Sequence, residues 1–68
     1  MLSVICPIYN EEKYIGACIE SIIAQDYPKD DLEAIFADGM STDRTRDIVA
    51  EYSAKYPWIS LIDNPKRI

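Results

Sequence analysis

The stretch LSVICPIYNEE, residues 2–12, joins an apolar run to a polar loop, and LEAIFADGMSTD, residues 32–43, repeats that arrangement. Leu2 to Ile8 is apolar almost throughout and rich in branched side chains, which predicts a strand buried on both faces. Leu32 to Ala37 predicts a second strand, interrupted only by Glu33. Each run stops at residues typical of turns, so both strands are expected to end in loops that open helices.

Helical patterns follow both loops. Tyr14 to Gln25 carries apolar residues at spacings of one and four, and Thr45 to Tyr56 carries them at three and four. Asn10 and Ser41 are predicted to cap the two helices, and Trp58 to Ile62 is predicted to form a third strand. The order strand, helix, strand, helix, strand predicts an α/β fold, a β-α-β-α-β parallel-sheet unit with three layers and right-handed crossovers.

The composition limits the possible partners and locations. The 68 residues, 49% hydrophobic and 28% charged, allow one small domain. A net charge of -5 without a basic patch predicts that nucleic acid is not a partner. No apolar stretch approaches the ~20 residues that cross a bilayer, and the start lacks the features of a signal peptide. Cys6 and Cys18 are predicted to be buried free thiols, which suits a cytoplasmic protein.

The first loop argues against three common α/β classes. Dinucleotide folds place G-x-G-x-x-G after the first strand, and P-loop proteins place G-x-x-x-x-G-K there. The loop PIYNEE, residues 7–12, contains no glycine and so offers no backbone cradle for a phosphate. A receiver domain needs an acidic pair directly after the first strand, whereas Glu11 and Glu12 come later, where helix capping explains them.

The residues that remain suit a base and a sugar. Ligands of open parallel sheets bind beyond the carboxyl ends of the strands, where both loops fall. Tyr9 offers a ring on which a nucleobase can stack, and Asp38 offers an acceptor for an imide N–H or a ribose hydroxyl. Gly39 allows close backbone approach or a positive φ. A turn Asp beside a turn Gly is an equally good explanation of the last two residues.

The order and spacing of these motifs resemble the start of a family 2 glycosyltransferase, an inverting enzyme of the GT-A fold. The resemblance covers practically the whole chain, and "ADGMSTD" is similar to members that build polysaccharides. In the commoner pattern two adjacent aspartates end the second strand, whereas here the second place is taken by Gly39. The matching positions are Pro7, Tyr9, Asn10, Glu11, Ser21, Ile22, Gln25, Tyr27, Pro28, Asp38, Ser41, Thr42, Asp43 and Thr45.

The resemblance implies that residues 1–68 are the N-terminal fragment of a catalytic domain, the nucleotide-binding half of a GT-A (Rossmann-like) domain. The complete enzyme would transfer a sugar from a nucleotide-sugar donor, with UDP expected, to a growing glycan or a lipid-linked acceptor. Pro7 (through its backbone), Tyr9 and Glu11 would line the nucleoside pocket with Asp38. The parent would be cytoplasmic, with attachment at the cytoplasmic face of the membrane as in many polysaccharide-building relatives.

The same resemblance implies that parts of the machinery lie elsewhere. A divalent metal, Mg or Mn, would neutralise the departing diphosphate, and a carboxylate base would take the acceptor proton; the family places both after a fourth strand. We therefore expect no catalytic residue and no metal ligand in these residues, and no transferase activity from them alone. The acidic stretch PKDDLE, residues 28–33, is predicted to be a solvated charge cluster at the opposite end of the sheet.

Two alternatives remain at the level of sequence: a stand-alone α/β nucleotide-binding or interaction module, and a fragment of a sugar-nucleotide nucleotidyltransferase. The second class usually carries a glycine-rich, basic signature after the first strand, which PIYNEE lacks. If the family's central first strand lacks its neighbour, its edge is bare, and self-association through that edge is expected.

Overall fold

The computed structural model describes residues 2–64, so the end of the predicted 1–68 unit lies outside the described residues. Three strands alternate with two helices: β1 (Leu2–Ile8), α1 (Ile15–Ile23), β2 (Leu32–Asp38), α2 (Thr45–Lys55) and β3 (Ile59–Asp63). A short 3-10 turn, Lys29–Asp31, leads into β2. The three-strand sheet has the order β1-β2-β3, and both strand pairs are parallel. The predicted α/β class and element order are therefore confirmed.

Both helices cover the same face of the sheet. Their buried side chains share one core with residues of all three strands, centred on Phe36 and Val49, which have no exposed surface. Two right-handed crossovers that advance in the same direction across a sheet place their helices on the same face. The described residues therefore form two layers, and the prediction of three layers is wrong for this part of the chain.

The opposite face of the sheet is open within residues 2–64. Ile5 is 65% exposed and Ile62 is 49% exposed, although both lie in apolar strands. β1 alternates between the two faces instead of being buried on both, because its neighbours cover only one face. The sequence predicts that both cysteines are buried free thiols. Both thiols are free, but Cys6 is only half-buried, and the prediction of burial is wrong for Cys18, which is exposed on α1.

Pro7 is compatible with β1 because its nitrogen faces the outer edge of the strand, away from β2. The carbonyl of Ile8 accepts the amide N–H of Gly39 at 2.8 Å, so Ile8 belongs to the residues that bond to β2. Alternate residues of a parallel strand direct their amides to opposite edges. Pro7 therefore faces the outer edge, where its missing N–H breaks no bond to β2.

The helices begin later than the sequence predicts. Asn10 has a φ of 48° and does not cap α1; the amides of Tyr14 and Ile15, at the start of the helix, donate to the carbonyl of Glu11 instead. Ser41 likewise does not cap α2, which begins at Thr45. Both side chains form hydrogen bonds between the two loops. None of the described helices is long and apolar enough to cross a membrane.

Candidate functional site

The carboxyl ends of the three strands form one rim. Ile8, Asp38 and Asp63 are register partners across the sheet, each the last residue of its strand. Tyr9 follows Ile8 directly, so the structure places Tyr9 and Asp38 on the same rim. This rim is where open parallel sheets bind their ligands.

A small cavity of about 220 Å³ opens at the rim. Three of the four residues predicted to contact a nucleotide, Pro7, Tyr9 and Glu11, line this cavity together with Ile8, Ala37 and Asn64. Tyr9 is 38% exposed, so part of its ring surface is accessible. The Glu11 carboxylate accepts the amide N–H of Tyr9 at 3.2 Å, which links the two residues. Asp38 does not line the cavity.

Asp38 is fully buried, and its side chain binds protein groups. Oδ1 accepts the Ser41 hydroxyl at 2.5 Å, and Oδ2 accepts the Ser41 amide at 2.8 Å. Oδ2 also accepts a hydrogen bond from Nη1 of Arg46 at 3.0 Å. Burial raises the pKa of Asp38, but the hydrogen bonds from Ser41 and the charge of Arg46 outweigh it, so the pKa lies below its ordinary value. Asp38 is therefore a buried carboxylate held in its ionised form.

Arg46 connects two strand ends and was missed by the sequence reasoning. Its Nη1 lies 3.0 Å from Oδ2 of Asp38 and 2.7 Å from Oδ1 of Asp63. The two carboxylates raise the pKa of Arg46 above its ordinary value, so its charge is permanent. A cation in the first turn of a helix opposes the helix dipole. That unfavourable position was the signal in the sequence that Arg46 has carboxylate partners.

Hydrogen bonds join the loop after β1 to the loop after β2. The amide of Asn10 donates to the Ser41 hydroxyl, and the Asn10 side-chain oxygen accepts the Thr42 amide, both at 2.8 Å. Each loop supplies one backbone amide as donor and one side chain as acceptor, so neither loop can move far without breaking bonds to the other. We call this set of contacts between residues 10–12 and 41–45 the loop clamp.

The clamp continues towards α2. The Glu11 amide donates to Oγ1 of Thr45 at 2.7 Å, and the Glu12 amide donates to Oδ2 of Asp43 at 3.2 Å. Asp43 also accepts the amide and hydroxyl of Thr45, at 2.9 and 2.5 Å. Burial raises the pKa of Asp43, but the hydrogen bonds lower it by more than that. The pKa of Asp43 therefore lies below its ordinary value. Several of the motif residues that the sequence singles out therefore form hydrogen bonds within the chain, between the two loops.

The acidic residues do not form a metal site within residues 2–64. No three or more of their carboxylates and thiols converge in a way that could hold an ion. Residues 28–31 of the acidic stretch lie in the turn before β2 and residues 32–33 begin β2, at the end of the sheet opposite the rim; Asp30 and Asp31 are exposed.

The fold and the rim define a Rossmann-like α/β unit with a cleft at the ends of its parallel strands. The family model described as glycosyl transferase family 2 matches residues 3–67, and the chain belongs to that family. This membership decides against the nucleotidyltransferase alternative and against an unrelated α/β module.

Relatives and solved structures agree with the family. The chain is 44% identical over 68 residues to a dolichyl N-acetyl-alpha-D-glucosaminyl phosphate 3-beta-D-2,3-diacetamido-2,3-dideoxy-beta-D-glucuronosyltransferase of Methanococcus voltae, covering 97% of this chain and 21% of that protein. It superimposes on TarS of S. aureus with a TM-score of 0.80 and 40% identity, over 91% of this chain and 11% of TarS. TarS is a poly(ribitol-phosphate) beta-N-acetylglucosaminyltransferase.

A third similar structure is the mannosyltransferase PcManGT of Pyrobaculum calidifontis in complex with GDP-Man and Mn2+. Its TM-score is 0.76 at 37% identity, over 91% of this chain and 18% of that protein. The structural relatives have the GT-A fold. The chain thus spans about a fifth or less of the length of these proteins.

Proposed function

We propose that residues 1–68 are the N-terminal part of the catalytic domain of a nucleotide-sugar-dependent glycosyltransferase, and that they supply one wall of its nucleotide site. The whole protein would transfer a sugar with inversion, from a UDP-sugar, to a growing glycan or a lipid-linked acceptor. The observation that carries this proposal is the cavity at the rim, which three residues of the family pattern line together. At about 220 Å³ it suits the nucleoside part of a donor rather than the whole donor.

Each cavity residue has a role in this proposal. The partly exposed ring of Tyr9 would stack on the base, an interaction that contributes about 1–3 kcal/mol per base in comparable sites. Glu11 would accept ribose hydroxyls, and Pro7 would contribute its backbone. The loop clamp supports these roles, because it holds the backbone of residues 10–12 against a second loop and so reduces the ordering that binding requires.

Asp38 would accept the imide N–H of uracil. The carboxylate keeps one acceptor position on Oδ1, since a carboxylate offers about four and the described residues donate to three of them. Asp38 has no exposed surface, so a base would reach Oδ1 only after the groups that cover this atom move.

A divalent metal, Mg or Mn, would support the whole enzyme. Such an ion neutralises the charge of a departing diphosphate. Residues 2–64 contain no group of three or more carboxylates and thiols that could hold an ion. We therefore assign no metal ligand to them, we place the catalytic base outside them as well, and we expect no transferase activity from the 68 residues alone. We also propose that the parent protein is cytoplasmic and attached at the cytoplasmic face of the membrane; the free thiols of Cys6 and Cys18 support the reducing compartment and do not bear on the attachment.

The test is a titration of the 68-residue chain with UDP and with GDP, followed by amide chemical shifts. We expect weak UDP binding with amide shifts at residues 8–11 and 38–41, and weaker binding of GDP. Tyr9→Ala should weaken UDP binding about tenfold, which corresponds to a stacking loss of about 1.4 kcal/mol.

Tyr27→Ala is the matched control. Tyr27 is 37% exposed, close to the 38% of Tyr9, but it lies after α1 at the opposite end of the sheet. Equal losses in the two variants, shifts confined to other surfaces, or preferential binding of GDP would contradict the proposal.

A further inference from the structure

We propose that Arg46 is a positioning residue of the nucleotide site: it orients the Asp38 carboxylate so that Oδ1 keeps one acceptor position for a ligand N–H. This inference rests on the proposed function and assigns a role to a residue outside the cavity. It concerns a contact between α2 and the ends of β2 and β3.

The first argument is the distribution of hydrogen bonds over the two oxygens. Oδ2 of Asp38 accepts from the Ser41 amide and from Nη1 of Arg46, which uses both of its acceptor positions. Oδ1 accepts only the Ser41 hydroxyl among the described residues. Without Arg46, one acceptor position of Oδ2 loses its donor, and only the two bonds from Ser41 would fix the tilt of the carboxylate plane. The direction of the acceptor position that remains for a ligand would then be less well defined.

The second argument is charge. Asp38 and Asp63 are register partners on adjacent strands, so two carboxylates end side by side at the rim. Arg46 of α2 and Asp63 of β3 are the charged groups that face Asp38, and Nη1 of Arg46 donates to both carboxylates. A buried carboxylate that lost this cation would face a like charge in a poorly solvated place, which favours its protonated form. A protonated carboxyl is a poorer acceptor for an imide N–H.

Arg44 provides a matched comparison two residues earlier in the chain. Its side chain is 65% exposed, and its ion pairs with Asp47 and Glu51 span 3.9 and 3.7 Å on the surface. Arg44→Gln removes the same charge from the same end of α2 as Arg46→Gln, but it leaves Asp38 untouched. Any effect of net charge on an anionic ligand appears in both variants, whereas the positioning effect appears only in Arg46→Gln.

The experiment measures UDP affinity for the full 68-residue chain between pH 5 and pH 8, for wild type, Arg46→Gln, Arg46→Lys and Arg44→Gln. For wild type we expect no pH dependence from Asp38 in this range, because its pKa lies below its ordinary value of about 3.8. Arg46→Gln should weaken binding about tenfold at pH 7, with a further loss as the pH falls towards 5. Arg46→Lys, which keeps a cation near both carboxylates, should restore most of the affinity.

A second measurement keeps this inference separate from the proposed function. Carboxyl NMR titration of Asp38 reports its ionisation without a ligand, and we expect its midpoint to rise in Arg46→Gln but not in Arg44→Gln. An unchanged midpoint, or equal loss of affinity in the two glutamine variants, would overturn the positioning role. If wild type does not bind UDP while the midpoint shifts as expected, the proposed function fails for this chain and the orientation of Asp38 by Arg46 stands.

If Arg46→Gln does not fold, as circular dichroism would show, Arg46→Lys carries the comparison. A lysine variant with the binding and midpoint of wild type supports the role, and one that binds tenfold weaker with an unchanged midpoint contradicts it.

Discussion

At the scale of single residues, the loop after β2 contains one residue, Met40, in a backbone conformation that its side chain disfavours. Met40 has a φ of 65°, in the left-handed region, whereas no glycine among the described residues has a positive φ. The sequence left open whether Gly39 would supply this conformation or allow a close approach of the backbone. Gly39 instead directly follows β2 and extends its pairing with β1, because the Gly39 amide donates to the Ile8 carbonyl. Gly39 itself is buried. The positive φ therefore lies one residue after Gly39.

This strain leads to a prediction for Met40→Gly. A left-handed conformation costs an L-residue about 1–2 kcal/mol, and glycine would remove this cost. Glycine also makes the unfolded chain more flexible, which offsets about 0.4–1 kcal/mol of the stabilisation. We expect Met40→Gly to raise the free energy of unfolding by about 0.5–1 kcal/mol, measured by urea denaturation. Met40→Ala is the control, because it shortens the side chain, which is 47% exposed, and keeps the unfavourable φ. A stabilisation by alanine equal to that by glycine would show that the side chain, and not the backbone, is the cause.

At the scale of elements, the loop clamp explains why the two loops carry so many side chains that accept hydrogen bonds. Backbone amides in a loop between a strand and a helix have no partner in either element, so they need other acceptors. Here the amides at residues 10–12 are bonded by side chains of residues 41–45, from the other loop. The cavity residues Tyr9 and Glu11 therefore belong to a loop whose backbone is fixed by hydrogen bonds to the loop after β2.

Asn10 is the position at which the clamp can be tested. Its φ of 48° suits asparagine or glycine, and its side chain accepts the Thr42 amide. Asn10→Gly removes only that bond, and we expect it to lower the free energy of unfolding by about 1 kcal/mol. Asn10→Ala removes the same bond and adds the strain of a left-handed alanine, so we expect a loss of about 2 kcal/mol.

Amide hydrogen exchange of Thr42 completes this experiment. Both Asn10 variants should accelerate exchange at Thr42, while amides of β2 far from the loops should keep their protection. Equal destabilisation by glycine and alanine, or unchanged exchange at Thr42, would show that the Asn10 side chain does not hold the second loop.

At the scale of the whole molecule, one edge and one face of the sheet are uncovered within residues 2–64. The outer edge of β1 presents the amides of Ser3 and Ile5, because alternate residues bond to β2. An edge of this kind pairs readily with another chain. We propose that the 68-residue chain associates with itself through β1 at micromolar concentrations.

Ile5→Lys tests this proposal in sedimentation experiments. Lysine on an edge strand opposes edge pairing, and Ile5 is already 65% exposed, so the fold should tolerate the change. Ile62→Lys is the control, since Ile62 lies on the same open face but in β3, at the other edge of the sheet. We expect wild type and Ile62→Lys to associate and Ile5→Lys to be a monomer. A monomeric wild type would disprove the association, and equal effects of both lysines would assign it to the open face.

Much of the fold could be predicted because its signals are local. Branched apolar runs bounded by Pro7 and Pro28, and apolar stripes at helical spacing, located β1, β2 and both helices to within a few residues. The number of layers could not be predicted in the same way. Helices on one face or on two depend on the direction in which successive strands are added, and no single segment of the chain encodes that direction.

The sequence by itself determined the α/β class, the family, and a rim that combines Tyr9 with Asp38, because periodicity and motif spacing depend on residues that are close along the chain. Only the tertiary structure decided what the motif residues contact. It buried Asp38 under Arg46 and Ser41, and it turned Asn10 from a helix cap into a bond between loops. Those partners lie between 3 and 32 positions away in the chain. The bond between Asn10 and Thr42 spans 32 positions and forms only when the parallel strands bring their carboxyl ends together. Ser41 and Arg46 are close to Asp38 along the chain, but periodicity and motif spacing do not specify that their donors turn towards its carboxylate.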